Sequence, residues 1–297
     1  MCPYCKNDQS TIRRGAYKRL RGRRKRIQRF YCHRCHRTWS RQTLHLSHHQ
    51  WKPDLNRPLY RLLCSGVSQR RCARLLGISP TTVARRVVRF GDYARRRLAS
   101  DRRRSGRSVH VAVFDEMESF EHSRCKPLSM AVAVEQGSRR ILGVAVSQMP
   151  AKGHLARISR KKYGPRADHR GGGIRYILRC VRTVASRPLL LKSDKCPRYP
   201  GQVLKILPRA VHETFKGRRA CTVGMGEMKV GGFDPLFSLN HTCAMFRDNL
   251  KTLSRRTWCT TKRQGRLEDL MNVYATYHNQ VIAGVRNPGV AYIRTRV

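Results

Sequence analysis

Carboxylates are what this chain has least of: 17 Asp and Glu stand against 64 Lys and Arg, a formal net charge of +47 over 297 residues. A surface so one-sided repels cationic and neutral-seeking partners alike and is suited to a polyanion, because repeated phosphate contacts give affinity without reading sequence. Long apolar runs are also missing. None approaches the roughly 20 residues of a membrane span, and the N-terminus enters Cys-Pro-Tyr-Cys directly, with no apolar leader. A reducing, cytoplasmic setting is the expectation, in which paired cysteines bind metal. The chain is not simply a disordered basic tail, since 40% of it is hydrophobic. Its length allows about two or three compact units.

Four of the few acids, Asp115, Glu116, Glu118 and Glu121, fall within seven residues. Acids near a polyanion repel it unless divalent cations lie between, so this knot is a candidate metal site for phosphoryl-transfer chemistry.

Residues 1–50 contain Cys2-x2-Cys5 and Cys32-x2-Cys35, separated by 26 residues. Two such knuckles supply four thiolates, the set that one tetrahedral structural Zn²⁺ takes; two disulfides are the alternative. Between them lies a basic hairpin with a turn near Gly22, and ten of the 19 residues Thr11 to Arg29 are Lys or Arg. Arg23, Arg24, Lys25 and Arg26 are its expected DNA contacts. So short a segment buries little core, and metal would supply much of its folding energy.

Residues 55–100 read as a helix-turn-helix. A helix over Gln69–Leu76 is followed by a turn at Gly77-Ile78-Ser79, with Ser79 as N-cap and Pro80 in the first position of the second helix. Leu75, Leu76, Ile78, Val83 and Val87 are the expected buried face. Thr81, Thr82, Arg85, Arg86 and Arg89 are the expected DNA-facing set in a major groove. An ordinary helical hairpin with a basic face is the bland alternative. Arg95 to Arg107 reads as a linker that also touches phosphate.

Residues 108–297 alternate strands and helices. Val109–Phe114 ends at Asp115, Leu128–Val134 and Arg140–Val146 follow as a meander, and Lys152 to Gly173 reads as a basic loop. Ile174–Ala185 is helical, and Pro188 to Asp194 is a buried strand that again ends on an aspartate. Gly201–Leu207, Ala210–Phe215, Phe237–Arg255 and Leu267–Val281 read as helix, strand, helix and helix, giving a mixed sheet flanked by helices. If the first and fourth strands are neighbours, Asp115 and Asp194 meet at one sheet edge and can share two Mg²⁺ ions, or Mn²⁺ in their place. Otherwise Asp115 is a strand-end cap and Asp194 an Asx-turn residue. Glu116 is expected on the opposite face in a supporting role, and Glu118 on the Asp115 side. Trp258 and the tyrosines near Tyr274 read as core, and the eight later cysteines as buried thiols.

The order of cysteine knuckles, helix-turn-helix, a strand ending in FDEMESF and another ending in LLLKSD resembles the bacterial insertion-sequence transposases. The closest likeness is to the Insertion-Sequence-One-like group with zinc-ribbon heads, in the ribonuclease-H-like superfamily, and it covers nearly the whole chain. The resemblance implies a triad of Asp, Asp and Glu, Asp or Asn. Its third ligand sits on a helix followed by R-x2-L-x2-L-x-R-[RK]-[TS], here Arg247 to Thr257, and that falls on Asn240. Asn departs from the commoner acid but still offers a neutral oxygen. Glu268 and then Glu227 are the rivals. The implied activity is cleavage and strand transfer on double-stranded DNA at terminal inverted repeats, by a homo-oligomer in a bacterial cytoplasm. Two alternatives remain: a domesticated DNA-binding regulator without catalysis, and a nuclease that stops at hydrolysis.

Overall fold

The computed structural model describes every residue except 6, 8, 19–25, 105, 107, 218–227, 230–231, 255–257 and 284–297. It divides into two compact units, Met1–Pro58 and Leu59–Val297.

The first unit is a three-stranded antiparallel sheet in the order β1 (Thr11–Lys18), β2 (Arg26–Cys32), β3 (Arg37–Ser40). Pairing from Thr11↔Cys32 to Lys18↔Arg26 makes the first two strands the expected hairpin. Its turn, with Gly22, Arg23, Arg24 and Lys25, lies outside the described residues. Gly15, at φ +64°, sits where the register shifts between Arg13 and Ala16; a left-handed residue there favours glycine. Phe30 and Trp39 face each other across β2 and β3 with rings stacked 4.5 Å apart. Beyond that pair the core is thin: Cys2, Cys32 and Ser40 are the buried residues among those described in this unit.

The second unit begins with three helices, α1 (Asn56–Leu63), α2 (Gln69–Leu75) and α3 (Pro80–Arg104). Both caps are made by serine. Ser68 accepts the Arg71 N–H at 3.3 Å and Ser79 accepts the Thr82 N–H at 3.1 Å, while Gly77 turns the chain at φ +58°. The buried face is shifted from the expected one. Leu75 is exposed, and Cys72 and Ala73 are buried in its place. On α3 the buried stripe is Val83, Arg86, Val87, Phe90, Gly91, Ala94 and Leu98, the 3.6-residue repeat of one helix face. Arg86 therefore belongs inside with Val83 and Val87, not in the exposed set. The same stripe carries the helix through most of the stretch expected to be a linker, because Ala94 and Leu98 still have a surface to bury and arginine is a good helix former.

That surface is α8 (below). Gly91 lies so close to it that a Cβ would meet Asp269 Oδ1 at 2.4 Å and the Asp269 backbone at 2.7 Å. Arg95 then bonds Asp269 at 2.7 Å, and Arg102 donates to the Leu142 carbonyl at 2.9 Å.

The α/β body contains β4 (Val109–Phe120), β5 (Pro127–Glu135), β6 (Ile141–Gln148), α4 (Leu155–Tyr163), α5 (Arg170–Arg182), β7 (Ala185–Asp194), α6 (Tyr199–Ile206) and β8 (Val211–Phe215). It is completed by a short hairpin of β9 (Met228–Lys229) and β10 (Gly232–Phe233), then α7 (Phe237–Asn249) and α8 (Gln264–Tyr277). The five long strands form one sheet in the order β6-β5-β4-β7-β8. The meander β4-β5-β6 is antiparallel, whereas β7 joins β4 and β8 joins β7 in parallel. The parallel joins require long crossovers, and α4, α5 and α6 supply them; the segment expected to be one basic loop is partly helix α4. One face of the sheet, with Ala112, Phe114 and Leu191, packs on Ile177, Leu178 and Val181 of α5 and on Tyr199 and Val203 of α6. On the rest of the sheet α7 packs against β4 and β5, and α8 against β6. This is the expected mixed sheet flanked by helices. Tyr274 is core, as expected, but Trp258 is wholly exposed.

Because the α3–α8 crossing has no room for a side chain at residue 91, Gly91→Val should destabilise the second unit by about 1–3 kcal/mol, read as the midpoint of denaturant unfolding. Gly201→Ser, at a glycine whose Cβ would meet nothing within 4 Å, should leave the midpoint within about 0.5 kcal/mol.

Candidate active site

Strand β4 does not stop at Asp115 but runs on to Phe120. What stops is its pairing with β7: the last partners are Val113 and Lys192. Asp115 and Asp194 each lie two residues beyond that pair, so the alternation of side chains sends both to the same face of adjacent strands, about 5 Å apart in backbone spacing. Their chemistry bears the mark of proximity. The Asp115 carboxyl is pushed up to about 6, first by burial and then by the charge of Asp194. Asp194 also caps its own strand end, with Oδ1 accepting the Cys196 N–H at 3.1 Å. The Asx-turn alternative thus describes part of what Asp194 does, without displacing the pairing.

Two groups that sequence reasoning missed complete this corner. Tyr199, the first residue of α6, is buried and donates its hydroxyl to Asp115 Oδ1 at 2.9 Å and to Glu116 at 3.3 Å. Burial and the carboxylates raise its pKa far above the usual phenol range, so it remains a donor. Arg198 bonds the other side of the same Glu116 oxygen, and Ser129 donates to Glu116 Oε1 at 2.5 Å. Glu116 therefore points to the α6 side and is consumed by an ion pair, in keeping with a supporting role. Glu118 is three residues from Asp115, which puts it on the Glu116 side and not the Asp115 side; it is exposed and paired with Lys152. The only sequence signal for Tyr199 was its place five residues after Asp194, which no periodicity marks.

Helix α7 approaches from the other face. The Cys243 thiol is pushed up to about 12, chiefly by burial and then by the charge of Asp115, in keeping with the packing of α7 against β4 and β5. Asn240 precedes Cys243 by one turn. Its amide donates to Asp234 Oδ2 at 2.7 Å, an assignment forced by a carboxylate's inability to donate, and its carbonyl oxygen is the atom left for a ligand. Asp234 is buried and also caps the start of α7 through the Leu236 N–H at 3.1 Å. The rival Glu268 is elsewhere. It lies on α8, with its pKa raised by burial and moderated by Arg95, and α8 packs against β6, two strands and about 10 Å from β4. Glu227 lies outside the described residues.

In the first unit Cys2, Cys5, Cys32 and Cys35 bring their four sulfurs within 4.8 Å of one another. Cys2–Cys35 and Cys5–Cys32 are 3.6 and 3.5 Å apart, too far for disulfides. A tetrahedron of four bonds of about 2.3 Å has edges of about 3.8 Å, so the donor set fits zinc. Cys2 is lowered to about 6: the backbone N–H groups of Cys5 and Tyr4 outweigh the upward push of burial. Of the later cysteines, Cys64, Cys72, Cys125 and Cys180 are buried as expected, but Cys196, Cys243 and Cys259 are only half-buried.

The candidate DNA contacts divide similarly. On α3, Thr81, Arg85 and Arg89 are exposed, Thr82 is half-buried and Arg86 is buried. In the first unit Arg26 is exposed at the start of β2; Arg23, Arg24 and Lys25 are outside the described residues.

No protein-family model matches the chain, and no curated protein matches it significantly. Among solved structures, the Mos1 transposase paired-end complex with left transposon end is similar at 10% identity over 76% of each chain, with a TM-score of 0.26. A superposition that loose carries no argument about this chain.

The raised Asp115 gives a pH dependence of definite sign. The folded protein holds that proton more tightly than the unfolded one, so this group's contribution to stability is fully present below about pH 4 and is lost as pH rises through about 6. A rise from 3.8 to about 6 corresponds to at most about 3 kcal/mol. Without divalent ions, Asp115→Asn should therefore melt higher than the parent protein at pH 7, and the gap should close on acidification to pH 4. A gap independent of pH would contradict the assignment.

Proposed function

We propose that this chain is a metal-dependent DNA transposase. The observation that carries the reading is the pair Asp115 and Asp194, held side by side beyond the last β4–β7 pair with Asp115 raised to about 6, in a chain of net charge +47. A buried carboxylate raised by burial and by the charge of a second carboxylate beside it makes, with that neighbour, a donor set for a divalent cation, and a basic surface is a platform for the phosphodiester such a cation would act on.

Asp115 and Asp194 would hold Mg²⁺, or Mn²⁺ in its place, with the Asn240 carbonyl oxygen as a neutral third donor. A divalent ion bound there would supply Lewis acidity for displacement at a phosphodiester. The protein's own part is positional. Tyr199 fixes one Asp115 oxygen and leaves the other to turn toward a ligand. Arg198 neutralises Glu116, so that no third uncompensated charge crowds the pair. Exposed Thr81, Arg85 and Arg89 of α3, with half-buried Thr82 beside them, would meet duplex DNA as the second helix of a helix-turn-helix, with Arg26 of the first unit adding a phosphate contact. The chemistry is hydrolysis of a phosphodiester at the element end, followed by attack of the freed 3′-hydroxyl on target DNA. One P–O bond forms for each that breaks, so no external energy source is needed. Holding two ends implies at least a dimer. No helix among the described residues is long and apolar enough to cross a membrane.

Asn240 in place of an acid favours one rival, a DNA-binding regulator without chemistry. Mutation separates the two. Asp115→Ala and Asp194→Ala should each lower Mg²⁺-dependent cleavage of end-containing DNA by at least about 10³-fold while duplex affinity stays unchanged. Cleavage undiminished in both variants would refute the catalytic reading; a parent protein that binds but never cleaves would favour the regulator.

The four-cysteine cluster would hold one structural Zn²⁺ per chain. Elemental analysis should find it, and Cys32→Ser should release it and unfold the first unit, because that unit has so little other core. A folded, zinc-free parent protein would contradict this.

A further inference from the structure

Beside the aspartate pair, α7 carries a second feature. Asn240, Ala244 and Arg247 recur at the spacing of one helix face, which leads from the candidate site about 10 Å along the helix to a cleft of about 470 Å³. Arg247, Lys251, Ala244 and Asp248 line the cleft together with Gly66. Gly66 belongs to the α1–α2 connection and is fastened there by its own N–H, which donates to the Asn249 carbonyl at 2.8 Å. A second cleft of about 310 Å³ shares Gly66 and Lys251 and adds Arg71 and Cys259. Among the described residues, three cations from α2, α7 and the segment after it thus line two adjoining clefts that share Gly66 and Lys251, with Asp248 the one acid in the lining.

The residue before Cys259 is Trp258, whose indole is wholly exposed. Its loop is nonetheless anchored, since the Thr261 carbonyl accepts the His122 N–H at 2.7 Å. A large flat aromatic held out into water contributes nothing to the core. One residue along the chain from Cys259 in the second cleft, it offers a stacking platform of the kind that unpaired bases use, because every base offers a π-face and its backbone a regular row of charges.

We propose that the groove and Trp258 bind an unpaired segment of DNA, with phosphates on Arg71, Arg247 and Lys251 and a base stacked on the indole. This rests on the transposase reading and deepens it: the groove would take the strand displaced beside the Asp115–Asp194 pair. The interior of a duplex does not suit it, because bases stacked on both sides present no free face to Trp258.

The test uses full-length, zinc-loaded protein without Mg²⁺, so that no cleavage step is involved. Fluorescence anisotropy compares a labelled blunt duplex with the same duplex carrying an unpaired oligothymidine extension. The parent protein and Asp115→Asn should both prefer the extended DNA. Trp258→Ala should reduce that preference by about tenfold, Trp258→Phe should keep most of it, and affinity for the blunt duplex should be unchanged in both. Equal preference in the parent protein and Trp258→Ala would overturn the inference while leaving the transposase reading intact. Failure of the parent protein to bind either DNA would overturn both.

Discussion

The parallel pairing of β4 with β7 is the constraint on which the rest of the second unit depends. It sets Asp115 and Asp194 in register although 78 residues separate them, and it forces the crossover through α4 and α5. It also ends just short of the aspartates, which opens the strand ends from which carboxylates can reach a common point. Burial and the charge of Asp194 oppose ionisation of Asp115, and Tyr199 and Arg198 hold the neighbouring charges in check.

The same economy runs through the basic surface. A net charge of +47 destabilises any compact state by self-repulsion, and the few acids are spent where they matter. Asp269 ties α8 to α3 through Arg95 and holds Arg266 of its own helix, Glu116 holds Arg198, and Asp234 caps α7 while orienting Asn240. Most of the remaining positive charge faces solvent, where it favours phosphate. The long α3 belongs to both tasks: its first turns carry the exposed threonines and arginines, and its later turns pack on α8.

Much of this was legible in the sequence. The Cys-x2-Cys pairs, the serine cap of α3, the main alternation of strands and helices, and Asp194 at the end of a buried strand are local signals with local causes. Arg86 was also legible, since 83, 86, 87 and 90 share one helix face; its charge argued for exposure, and periodicity was the better guide. The continuation of α3 through the arginine run was concealed in the same way, because only Ala94 and Leu98 mark it. Trp258 misled in the opposite sense: hydrophobicity argued for burial, but exposure depends on which surfaces remain after α7 and α8 have packed.

By itself the sequence determined most of the strands and helices, the strongly basic charge and the cysteine cluster, because caps, periodicity, composition and ligand spacing act over a few residues or over the whole chain. Tertiary structure alone decided which strands are neighbours, and hence that Asp115 meets Asp194 while Glu268 stays at the β6 edge. It alone brought Tyr199 and Cys243 to Asp115 and left Trp258 exposed, one residue along the chain from a cationic cleft. These are contacts between residues distant in the chain, and they follow from strand register and helix packing, which no local pattern encodes.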